Sequence, residues 1–149
     1  MAEMPIVAVD TNVVVAGLLA WHEQHGPALS LLQRHLASGS LVLPAPALVE
    51  SYSVLTRLPP PWRLAPADVA TLLTRTFRER SRLVGLGEDE PWFLLGHAVE
   101  RGVAGGSIHD AHILACAKKA GASVMATFNR RHFAQLDLEG IELLVPTAT

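Results

Sequence analysis

Three acids stand in surroundings where an acid is unusual. Asp10 follows the run Ile6-Val7-Ala8-Val9, a continuous apolar stretch with two β-branched valines that reads as a strand buried on both faces. Glu50 lies among Ala45, Ala47, Leu48 and Val49 before it and Tyr52, Val54 and Leu55 after it. A helix that apolar leaves few faces for water, so a carboxylate on it needs a partner. Asp110 falls in Gly105-Gly106-Ser107-Ile108-His109-Asp110-Ala111, at the start of a segment otherwise small and apolar. Carboxylates without a cysteine pair offer hard oxygen ligands, which suit magnesium or manganese. Three of them drawn together repel one another unless a cation sits between them. A divalent ion in that place supplies Lewis-acid chemistry and an activated water.

Each acid also has a purely structural explanation. Asp10, Thr11 and Asn12 are all helix N-cap types, although one cap residue suffices for one helix. Ser107 and Asp110 have nearly the spacing of a capping box, whose usual last member is Glu or Gln. Glu50 alone is also compatible with a solvated helix face. Of the seven histidines, His22 and His25, and His109 and His112, are each three apart and so share a helical face. No HExxH pattern accompanies them, and zinc is a minor expectation. His109 and His112 flank Asp110 and are either surface imidazoles or groups that face a substrate. Arg75, Arg78, Arg80 and Arg82 read as a solvated face. Arg130, Arg131 and His132 directly follow Asn129 and are placed to meet phosphates.

In open parallel sheets, ligands bind beyond the carboxyl ends of the strands. Asp10 occupies that position after the strand at 6–9, and Asn129 follows the apolar run at 123–126. Asp110 opens a helix after a glycine-rich loop. The remaining pattern supplies the elements that must hold them. Helices are expected over 13–20, 24–38, 47–57, from Pro66 to about Arg80, 88–101, 107–119 and 129–136, with strands at 41–43, 83–84 and 141–145. Gly39 reads as a helix stop. Pro59-Pro60-Pro61 is the one strong break and falls between helices. Strands that alternate with helices and are continuously apolar argue for an α/β fold with a parallel sheet flanked by helices.

With 149 residues, half of them hydrophobic and 17% charged, the chain is expected to form a single domain over 1–149 with a core large enough to need no staples. The lone Cys116 permits no internal disulfide, reads as a core residue, and fits a reducing, cytoplasmic setting. Met1-Ala2-Glu3-Met4 carries an acid where a signal peptide has Lys or Arg, and Asp10 and Asn12 break the apolar stretch from Pro5 to Trp21, so no membrane association is expected. A net charge of −2 means that any nucleic acid must be met by a local basic patch, a metal site or a partner's surface. Aromatics at 5% argue against a stacking platform for single strands.

Four short motifs resemble one family. Val9-Asp10-Thr11-Asn12, Glu50 in a Pro-Ala-x-x-x-Glu helix, Ile108-His109-Asp110-Ala111-His112-Ile113-Leu114-Ala115, and Ala126-Thr127-Phe128-Asn129-Arg130-Arg131-His132-Phe133 follow the order and spacing of PIN domains, above all the VapC-type toxins of bacterial toxin–antitoxin pairs. The resemblance runs from Ile6 to about Val145. It implies a three-layer sandwich with a central parallel sheet, a magnesium- or manganese-dependent endoribonuclease, a homodimer, and inhibition by a cognate antitoxin. Asp10, Glu50 and Asp110 match the family's acidic ligands, Thr127 the hydroxyl that supports the first acid, and Asn12 a position behind the ligands. The fourth acid, where the family has one, falls at Asn129, which adds no charge. One well-held ion is therefore expected, with a second bound weakly. Asn129 is expected to orient a water or phosphate oxygen, and Arg130 and Arg131 to hold flanking phosphates. Two other readings compete. One is a haloacid-dehalogenase-type phosphatase with Asp10 as nucleophile, although its usual second Asp is Asn12 here. The other is a non-catalytic domain that binds RNA or protein.

Overall fold

In the computed structural model, which describes residues 4–147, the chain runs β1 (Val7–Val9), α1 (Thr11–Leu18), α2 (His25–Ser38), β2 (Leu41–Pro44), α3 (Ala45–Thr56), α4 (Pro66–Phe77), β3 (Arg82–Val84), α5 (Glu90–Arg101), α6 (Ser107–Lys119), β4 (Val124–Ala126), α7 (Arg130–Ala134) and β5 (Glu142–Leu144). Every expected helix and strand is present. The expectation drawn from Met1-Ala2-Glu3 concerns residues outside those described. The five strands form one sheet in the order β3-β2-β1-β4-β5, and every pairing is parallel. Parallel neighbours need crossover helices, and right-handed crossovers place the helices before β3 on one face and those after it on the other. This is the expected α/β sandwich.

The apolar runs explain which strands lie where. β1, β2 and β4 are buried throughout, as central strands covered on both faces must be. The edge strands β3 and β5 are largely exposed, and so are less apolar than a uniform parallel sheet suggests. α2 ends at Gly39, whose φ of +71° places it in the left-handed region while its N–H donates to the carbonyls of His35 and Leu36. α5 starts later than expected, because Glu88 has a φ of +43° and cannot belong to the helix. Of Glu88, Asp89 and Glu90, only Glu90 then lies in its first turn, and it pairs with Lys119 at 2.5 Å.

Packing of α1 against α2 is close. A methyl group at Gly17 would stand 2.4 Å from Leu32 Cδ1, so a larger residue at this crossing must displace the buried Leu32 side chain. Cys116 is buried in the helical layer, and burial pushes its thiol up to about 11. Among the described residues no helix is long and apolar enough to cross a membrane.

Candidate active site

The strand order reverses at β1: β2 and β3 extend to one side, β4 and β5 to the other. That reversal opens a crevice beyond the carboxyl ends of β1 and β4. Asp10 closes β1 and Thr127 follows β4 directly, so both are fixed at the crevice by paired strands. The Asp10 N–H donates to the Ala126 carbonyl at 2.9 Å, which extends the pairing to the site itself.

Asp10 is 4% exposed. Its Oδ1 accepts the Thr11 N–H at 2.8 Å and its Oδ2 accepts the Thr127 hydroxyl at 2.7 Å. It therefore caps α1 and faces the crevice at once. Burial raises its pKa to about 6. The bonds from Thr127 and Thr11 oppose that rise, and the charges of Asp110 and Glu50 add to it. A carboxylate oxygen accepts more than one bond, so both oxygens keep capacity for a further ligand.

Asn12 and Thr127 form the support. Thr127 is fully buried. Its hydroxyl donates to Asp10, accepts the Asn129 N–H at 2.9 Å, and meets Asn12 Nδ2 at 3.5 Å. The Asn12 Oδ1 accepts the Phe128 N–H at 3.2 Å. Asn12 thus ties the start of α1 to the loop after β4.

Asp110 lies in the first turn of α6 and is half-buried. No side-chain bond caps this helix, so the capping-box explanation for Ser107 and Asp110 does not hold. Burial raises the Asp110 pKa. The charge of His132 lowers it, that of Glu50 raises it, and that of His109 lowers it. His132 Nδ1 stands 3.8 Å from Asp110 Oδ2. His132 entered the sequence reading only as part of a basic run; its spacing from Asp110 gives no sign that α6 and α7 meet there.

Glu50 takes the solvated-face alternative of its two readings. It is exposed, as are Val49 and Tyr52, because α3 buries only Ala47, Ser51 and Leu55. Its carboxylate is therefore not a buried charge in need of a partner. What links it to the site is electrostatic: both Asp10 and Asp110 feel its charge. Asn129, Arg130, Arg131 and His109 are exposed, and His112 is half-buried, with burial and the His109 charge lowering its pKa. His22 and His25 belong to local structure: His22 Nδ1 accepts the Gln24 N–H, and His25 Nδ1 lies 2.9 Å from the Ala16 carbonyl oxygen. Arg75, Arg78 and Arg80 are exposed. Arg82 donates to the Ala120 carbonyl.

Among the described residues, no three His, Cys, Asp or Glu side chains stand close enough to clasp one ion directly. The donor type and the charge nevertheless fit a hard divalent cation. The charges of Asp110 and Glu50 add to the raised proton affinity of Asp10, the most buried of the three, whose oxygens keep spare acceptor sites.

Residues 7–139 match the PIN domain. The chain belongs to the PIN-domain family. It is 41% identical over 120 residues to Ribonuclease VapC40 of Mycobacterium tuberculosis, covering 80% of this chain and 84% of that protein. It is 44% identical over 73 residues to Ribonuclease VapC27 of the same organism, covering 49% of this chain and 50% of that one. In fold it is similar to M. tuberculosis VapC20, a sarcin-ricin loop cleaving toxin, with a TM-score of 0.65 at 22% identity over 86% of this chain and 93% of that one. It is also similar to a DNA-bound VapBC from Salmonella typhimurium, with a TM-score of 0.65 at 17% identity over 95% of this chain and 98% of that one. The PIN domain so recognised is a ribonuclease of the VapC toxin class. The phosphatase reading ends with that match.

Proposed function

We propose that this chain cuts RNA internally with the aid of a magnesium or manganese ion held by Asp10, Glu50 and Asp110. The observation that carries the reading is the Asp10 carboxylate: buried at the crevice, held on both oxygens, and with its pKa raised to about 6 by burial and by the charges of Asp110 and Glu50. A divalent ion there supplies Lewis-acid stabilisation of charge on a phosphodiester. The chain supplies the rest. Thr127 and the Thr11 N–H fix the Asp10 carboxylate in one orientation. Asn12 and Thr127 hold the loop that presents Asn129, whose amide orients a water or phosphate oxygen. Arg130 and Arg131 are exposed on α7 and meet phosphates flanking the cut. His109 and His112 face the same substrate from α6. Glu50 is exposed, so its carboxylate is able to turn toward the other two.

The test is cleavage of total bacterial RNA by the purified protein with manganese or magnesium, with EDTA, and with metal restored. Discrete fragments that vanish with EDTA and return with metal support the reading. Cleavage indifferent to EDTA removes the metal from it, and no cleavage by a folded protein favours a binding role.

A cognate antitoxin is the proposed partner, on the strength of the VapBC pairing in the structural relative, and the cytoplasm the proposed compartment, consistent with the buried free thiol of Cys116. A homodimer is proposed through α5, where Trp92, Leu95 and Val99 recur at helical spacing and are 72%, 50% and 82% exposed. Val99→Glu is expected to turn a dimer into a monomer in light scattering. A wild-type protein already monomeric at micromolar concentration would remove this part.

A further inference from the structure

Low aromatic content argued against a stacking platform, yet the fold builds a small one. Trp21, in the turn between α1 and α2, and Trp62, in the loop after α3, meet with ring centroids 4.8 Å apart and planes inclined by 36°. Such a pair normally packs inside a protein. These rings are 48% and 46% exposed. The His22 ring stands 6.3 Å from Trp21.

The loop that carries Trp62 is stiff. Pro59, Pro60 and Pro61 fix their own φ angles. The Trp62 N–H donates to the Pro59 carbonyl at 2.9 Å, and Arg63 Nε to the Leu58 carbonyl at 2.9 Å. The rings are therefore presented with little entropy left to lose on binding. The loop is also basic. From Ser51 to Ala67 there is no acid, while Arg57 and Arg63 add two positive charges, and both are exposed. Glu23 is the one acid in the turn that faces it.

Its position relates to the carboxylates. α1 starts one residue after Asp10 and leads toward Trp21; α3 carries Glu50 and leads toward Trp62; the two helices pack on each other. The eight residues of α1 span about 12 Å, so one short helix separates the turn that carries Trp21 from Asp10.

We infer that Trp21 and Trp62 form a stacking platform for an unpaired base of the RNA strand, a few nucleotides from the phosphate that is cut, with Arg57 and Arg63 on the backbone beside it. Charge decides in favour of RNA over an apolar peptide, since a polyanion suits two arginines in a segment without acids. This inference rests on the ribonuclease reading and refines it by selecting single-stranded RNA.

The probe is a short unstructured oligoribonucleotide, compared with an abasic strand of equal length. The protein carries Asp10→Asn, so that the probe is not cut, and Trp92→Phe, so that the emission comes from Trp21 and Trp62 alone. The base-bearing strand is expected to quench that emission and the abasic strand not to. Trp21→Ala or Trp62→Ala is expected to weaken binding by about fivefold or more, and Trp62→Phe, which keeps a π face, to restore most of it. In the active enzyme, Trp62→Ala is expected to raise KM more than it lowers kcat. Equal quenching by both strands, or unchanged RNA affinity in both alanine variants, overturns the platform. Unchanged RNA affinity with loss of antitoxin binding also overturns it and assigns the pair to the protein partner. All of these leave the nuclease reading standing, which fails only if the wild type itself does not cut.

Discussion

The Thr127 hydroxyl donates to Asp10 Oδ2 at 2.7 Å and so joins the ends of β1 and β4 across the point where the sheet reverses direction. This bond does two tasks. It orients the acid on which the site depends, and it offsets part of the burial that raises the acid's pKa. The same oxygen accepts the Asn129 N–H, so its donor and acceptor capacity are both in use.

Thr127→Val keeps the shape and removes the hydroxyl. The buried Asp10 oxygen then loses a partner, which costs about 1–3 kcal/mol, and the exposed Asn129 loses the acceptor of its N–H. Denaturant unfolding is expected to show that loss, and RNA cleavage to fall by about 10–100-fold, the usual cost of removing support behind a metal ligand. Thr127→Ser is expected to recover most of both. A valine variant with wild-type cleavage would show that Asp10 needs no such support.

Stability should depend on pH through Asp10. Its folded pKa of about 6 lies above the ordinary 3.8, so the folded protein holds this proton more tightly than the unfolded chain. Its contribution is full below about pH 4 and is lost as pH rises toward and past 6. In metal-free buffer, Asp10→Asn is thus expected to be more stable than wild type at pH 7, by up to about 3 kcal/mol, and to gain nothing below pH 4. Thermal unfolding of both proteins in EDTA from pH 4 to 8 measures this. Parallel curves would mean that the carboxylate bears no such burden.

Asn129 tests the count of ions. It is exposed and holds the site by its backbone N–H, so a changed side chain is tolerated. Asn129→Asp adds one negative charge at the mouth of the crevice. Calorimetric titration with manganese is expected to give one ion for the wild type and a second, measurable site for the variant. Two ions already on the wild type would show that an amide suffices there.

Much of this was legible in the sequence because the signals were local. An apolar run ending in Asp-Thr-Asn marks β1, the cap of α1 and the crevice together, and Gly39 marks the end of α2 by the conformation that only glycine adopts readily. The errors arose where neighbours decide. Glu50 stayed open between a partnered carboxylate and a solvated one because its helix is apolar, yet α3 turns Val49 and Tyr52 outward as well, and sequence alone does not say how much of a helix its neighbours cover. The helix expected from residue 88 starts only at Glu90, because a positive φ at Glu88 delays it. The contact of His132 with Asp110 and the meeting of Trp21 with Trp62 join residues far apart in the chain, and composition argued against the second.

The most direct test compares wild type with Asp10→Asn on one RNA that the wild type cuts, in manganese, with folding of both confirmed by circular dichroism. Asp10→Asn is expected to lose at least about a hundredfold in cleavage rate while keeping its fold and its affinity for the oligoribonucleotide within a few-fold. Undiminished cleavage by the folded variant would contradict the central claim that the carboxylate at the end of β1 carries the chemistry.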